Sequence, residues 1–105
     1  MEKKIQYQYD QLEALVREFQ DLSSDLQQTA NRVTQKKDAL QSGGWKGQGA
    51  DKFYQEMDQV VLPALKRAHM AMDLSAERIR KKMEQMKAME DSLKSVMRRF
   101  VEAMG

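Results

Sequence analysis

The chain has 105 residues, enough for one domain, with no cysteine and a single histidine, His69. These counts exclude disulfides, thiolate zinc sites, cysteine nucleophiles and any cage built from several histidines. Eighteen basic and sixteen acidic residues leave a net charge of +2, a balance that gives no reason to expect nucleic acid as a partner.

The first residues, Met1-Glu2-Lys3-Lys4-Ile5, lack the apolar stretch of roughly 7–15 residues that a cleavable leader requires. No run of about 18 apolar residues is present that could cross a bilayer. The expectation is a protein that is cytoplasmic at first and that, if exported, leaves without a cleavable signal peptide.

The first periodic segment predicts a helix over about residues 5–41. Leu12, Phe19, Leu26, Val33 and Leu40 recur every seven residues, with Leu15 and Leu22 three positions on and Val16 and Ala30 widening the stripe. Apolar residues at this spacing share one helix face. Asp10, Glu13, Arg17, Asp21 and Gln28 fall opposite.

A turn is expected over 42–49. Four of the five glycines lie between Gly43 and Gly49, and each costs a helix interior about 1 kcal/mol relative to alanine. Trp45, the only tryptophan, and Gly47 sit in this stretch. An indole here can cover the apolar ends of two helices, and glycine admits conformations closed to other residues.

A second helix is expected over about residues 50–102. Leu65, Met72, Ile79, Met86, Leu93 and Phe100 recur every seven residues, and Asp51 near the start complements the helix dipole. Pro63 lies inside this segment, where proline removes a backbone hydrogen bond. A kink near Pro63 is expected rather than a break, because Phe53, Met57, Val61, Leu65 and Ala68 stay on one face across it.

Two amphipathic helices joined by a short turn predict an all-α fold, an antiparallel hairpin. Residues 1–105 are read as a single domain. The stripes are wider than one seam needs, so a second hairpin is expected to complete a four-helix bundle dimer, with Leu12, Phe19, Leu26, Val33, Leu40, Phe53, Leu65, Met72 and Ile79 as its core. Folding about Trp45 sets Leu40 near Ala50 and residue 1 near residue 90, leaving the last dozen or so residues uncovered. Such exposed apolar surface marks a contact.

Other features have plain readings. The methionines from Met83 to Met104 are read as loosely packed core. The basic groups Arg78, Arg80, Lys81 and Lys82 are read as a solvated face, and His69 as a boundary residue with Asp73 within pairing reach. No glycine-flanked nucleophile, phosphate loop or metal-ligand spacing is present, so no catalytic residues, metal or cofactor are assigned and an enzyme is not expected.

Trp45-Lys46-Gly47, midway between two heptad helices, resembles the Trp-x-Gly turn of the WXG family, the small early-secretory-antigen-like helical hairpins of type VII secretion systems. Leu40, Ala50 and Phe53 fit the same pattern. The resemblance implies a secreted, non-enzymatic, virulence-associated protein that pairs with itself or with a WXG-like partner and is handled by the type VII secretion ATPase. Nucleic acid is not expected as a partner on the charge balance, and membrane contact is not expected.

Members of that family usually carry a Tyr-x-x-x-Asp/Glu tail signal after the second helix. Here Tyr54-x-x-x-Asp58 has the letters but directly follows the turn and is read as coincidence. Met86, Glu90, Leu93 and Met97 fit a looser version and are the candidate secretion-signal or partner-binding residues. Two alternatives remain: a chaperone or adaptor for a larger secreted toxin, and a structural coiled coil.

Overall fold

In a computed structural model that describes residues 2–105, the chain is an antiparallel helical hairpin. Helix α1 spans Glu2–Ser42, α2 spans Gln48–Glu56, a π-helical turn covers Met57–Val61, and α3 spans Leu62–Met104. No strand occurs among the described residues. The molecule is a narrow rod of 86 × 21 × 15 Å, and α1 packs along α3.

Helix α1 contains neither glycine nor proline and is rich in the straight-chain residues that lose little rotamer freedom in a helix. Its end is built by the glycines. The Trp45 N–H donates to the Leu40 carbonyl (3.1 Å), the Gly44 N–H donates to the Gln41 carbonyl (3.1 Å), and Gly44 has φ 86°. This six-to-one and five-to-two pair, closed by a left-handed glycine, is a Schellman stop.

The second arm is helical from Gln48 to Met104, but its hydrogen-bonding pattern changes just before Pro63. Pro63 has no N–H, and its ring crowds the carbonyl four residues back. Just upstream the helix widens: the Leu62 N–H reaches the Met57 carbonyl, five residues away. A π turn accommodates an extra residue without ending the helix, so Leu62–Met104 continues along α1.

The seam between the arms is narrow and partly polar. Its most enclosed positions on α1 are Tyr9, Val16 and Ser23, seven residues apart. On the second arm they are Ala50, Tyr54, Ala76 and Met83. The row Leu12, Phe19, Leu26 and Val33 is half-buried beside this line, as are Phe53, Leu65, Met72 and Ile79, and Leu40 is exposed. Two helices enclose one line of side chains, so no large side chain is completely buried among the described residues.

The register differs from folding Leu40 onto Ala50. Lys37 meets Asp58, Ser23 meets His69 and Asp73, and Tyr9 meets Glu90. Residue 90 thus lies opposite residue 9. The expected placement of residue 1 beside it concerns a residue outside those described. The turn and the π segment add length to the second arm and slide α3 along α1. Met83 is in the seam as expected of core, but Met86, Met89, Met97 and Met104 are exposed. Met86 and Met89 lie off the single seam that α1 offers, whereas Met97 and Met104 continue the row of Met83 and Glu90 to where α1 runs out.

Candidate functional site

The turn is an aromatic knot on a glycine frame. Gly47 adopts φ 117° and ψ 177°, a region that residues with a Cβ essentially do not enter. From there its carbonyl accepts the Asp51 N–H at 2.9 Å, opening α2. The same reversal brings the Trp45 ring against Phe53 (centroids 5.3 Å apart) and Tyr54 (5.6 Å, edge-on). Tilted and edge-to-face pairs of this kind add about 0.5–1.5 kcal/mol each beyond burial. The Tyr54 hydroxyl donates to the Trp45 carbonyl at 3.0 Å. Trp45 is nevertheless 43 % exposed, so a fixed aromatic edge is displayed at the closed end of the rod.

The structure gives both ends of Tyr54-x-x-x-Asp58 work within the hairpin. Tyr54 is buried against the tryptophan. Asp58 pairs with Lys37 of α1 at 2.6 Å, and that carboxylate raises the lysine's affinity for its proton above the ordinary value.

The tail residues lie on one face of α3, with unequal access. Met86 is at the edge of exposure, while Leu93 and Met97 are 59 % and 60 % exposed. Val96, Phe100, Val101 and Met104 extend the apolar surface toward the C-terminal end. Glu90 is different: it is half-buried and accepts a hydrogen bond from the Tyr9 hydroxyl at 2.9 Å. Arg78, Arg80, Lys81 and Lys82 are all exposed, and Lys81 approaches Glu77 at 3.7 Å.

In the middle of the seam the expected His69–Asp73 pair is joined by a residue that the sequence did not single out, Ser23. The Ser23 hydroxyl, in a residue only 4 % exposed, donates to Asp73 Oδ1 at 2.5 Å and lies 2.6 Å from His69 Nδ1. His69 Nε2 is 3.6 Å from Asp73 Oδ2. A serine nucleophile gives its proton to the imidazole and faces a substrate. Ser23 instead directs its proton at the carboxylate from within a helix–helix contact, so the three groups act as a clasp between the arms. Buried polar groups satisfied in this way fix register.

The signal for these residues was present as a second heptad row. Tyr9, Val16, Ser23, Ala30 and Lys37 are spaced by seven, as are His69, Ala76, Met83 and Glu90. Their mixed polarity hid them behind the purely apolar row beside each.

Residues 4–61 match the family model WXG100, described as proteins of 100 residues with WXG. The match covers nearly all of α1, the turn, α2 and the π segment, and ends before Pro63. No curated protein and no solved structure matches the chain.

Proposed function

The chain belongs to the WXG100 family, small helical proteins of type VII secretion systems, and from that premise we propose that it is a non-enzymatic substrate of such a system, exported without a cleavable signal peptide. The turn at Trp45 and Gly47 and the face at Met86, Glu90, Leu93 and Met97 are the surfaces read by the membrane-bound secretion ATPase. The observation that carries this reading is the turn. Its geometry requires glycine at position 47 and holds a large aromatic side chain in place while leaving it partly open. Hydrophobic packing alone would favour enclosing that ring, and a rigid exposed aromatic is the kind of group that anchors a protein contact.

Pairing with a second copy belongs to the same proposal. The half-buried row Leu12, Phe19, Leu26 and Val33, with Phe53, Leu65, Met72, Ile79 and the exposed Leu40, offers apolar surface that the hairpin's own seam does not cover. A second hairpin would bury it as a four-helix bundle. Members of the family pair with one another.

Trp45→Ala tests the turn. Circular dichroism should show nearly unchanged helix content, because both helices persist without the ring, while export to the medium should fall at least tenfold. Export at the normal rate would remove the turn from the signal. The adaptor reading is favoured by one observation: the only Tyr-x-x-x-Asp is engaged inside the hairpin. On that reading the wild-type chain leaves the cell only when a larger partner is co-expressed.

A further inference from the structure

The open end of the hairpin is closed by three side chains. Tyr9 occupies a seam position and is 6 % exposed. Its hydroxyl donates to Glu90 Oε1 across 81 positions of sequence, and the Lys87 ammonium lies 5.2 Å from its ring centroid. Burial, and then the neighbouring Glu90 carboxylate, push the phenol above its usual titration range. Tyr9 is therefore a hydroxyl donor at neutral pH.

Glu90 is the one acid of the tail face. On a helix, residues 86, 90, 93 and 97 lie in one stripe. Leu93 and Met97 are open to an incoming surface, whereas the carboxylate between them and Met86 is turned into the seam. We infer that Tyr9 is a latch on the tail element: it withholds Glu90, so that the tail displays its apolar groups alone until the open end of the hairpin engages a partner. This rests on reading the tail as a recognition surface, as proposed above.

The chemistry of release follows from the site. A partner that binds an apolar helix face and also reads the acid must present a cation, of which an arginine guanidinium is the best match to a carboxylate. The Tyr9 bond to the carboxylate is a single one, whereas a guanidinium offers two parallel bonds and a full opposite charge, so exchanging Tyr9 for the guanidinium is favourable. There is room for the approach. A cleft of about 510 Å³, lined by Ile5, Gln6, Tyr9, Lys87, Glu90 and Leu93 among others, opens beside the carboxylate. A partner lacking the cation gains only the apolar contacts and leaves the latch closed, which makes Tyr9 a specificity device as well as a restraint.

The test uses the full chain and four proteins: wild type, Tyr9→Phe, Glu90→Ala and the double variant. Phenylalanine keeps the ring in the seam and deletes only the hydroxyl. Backbone hydrogen exchange over residues 4–12 should be about tenfold faster in Tyr9→Phe, as expected for one hydrogen bond to a charged group at the low end of its range. It should be similarly faster in Glu90→Ala, and no faster again in the double variant. Unchanged exchange in Tyr9→Phe, or effects that multiply in the double variant, would overturn the latch.

Export of the same four proteins separates the latch from the reading beneath it. Tyr9→Phe should be exported severalfold faster than wild type, and Glu90→Ala should be impaired with either residue at position 9. If Tyr9→Phe loosens the end of the hairpin but leaves the wild-type chain level in export, the bond is structural only and the latch is wrong. If Glu90→Ala is exported like wild type, the tail reading itself fails and the latch falls with it.

Discussion

Gly47 is where the sequence and the backbone agree most tightly. Its φ of 117° lies in territory that other residues avoid, yet no atom lies within 4 Å of where a Cβ would be. The constraint is therefore the backbone and not space. Gly47→Ala should cost about 1–3 kcal/mol, read as a lower urea midpoint at unchanged slope. Gly49→Ala is the control: it has equally open surroundings, no left-handed φ and a helical position. That change should stabilise by up to about 1 kcal/mol. Equal effects at the two sites would contradict the conformational account of the turn.

At this scale the sequence showed part of the site. Trp45 and Gly47 were legible because a lone tryptophan among clustered glycines admits few structural roles. Tyr9 and Ser23 were not, because a tyrosine and a serine in helical sequences look like surface residues, and of His69 only its local approach to Asp73 was. Their role depends on what stands opposite them on the other arm, 46 to 81 positions away. No local pattern carries that information.

At the level of the helices, the arms are held together by a thin apolar line and by polar clasps at three heights. Lys37–Asp58 lies near the turn, Ser23–His69–Asp73 in the middle and Tyr9–Glu90 at the open end. Two of them set a pH dependence. Tyr9 and Lys37 both bind their protons more tightly in the hairpin than in the unfolded chain. Their contributions are therefore complete below about pH 10, the ordinary range of both groups, and are lost as pH rises through the folded values. The thermal midpoint followed by circular dichroism should fall as pH rises above about 10, and Tyr9→Phe should flatten part of that fall. A midpoint that holds or rises there would show that neither clasp contributes.

Element type was well encoded: uninterrupted helix formers from Glu2 to Ser42 and a glycine cluster thereafter leave little choice but two helices and a reversal. Register was not. It is fixed by the turn, by the π segment and by the polar clasps. Of these, the π segment answers to Pro63 only through a rearrangement of backbone hydrogen bonds that residue types do not announce.

For the whole molecule, a rod 86 Å long and about two helices wide cannot enclose its own apolar surface. What stays open falls in separate places with different proposed uses. The row along Leu12, Phe19, Leu26 and Val33 would pair with a second hairpin. The aromatic edge of Trp45 and the α3 face with its latched Glu90 would meet the secretion machinery. Family membership rests on residues 4–61, the first arm, the turn and the start of the second arm, and the tail lies beyond them. The tail's role accordingly stands on its exposure and on the fate of Glu90.

The most direct test is to measure this protein, by quantitative immunoblot, in culture medium and in cell pellets of strains with and without the type VII secretion ATPase. The account expects the wild-type chain in the medium only when the ATPase is present, with intracellular retention and no lysis marker outside when it is absent. Equal amounts in the medium of both strains would contradict it.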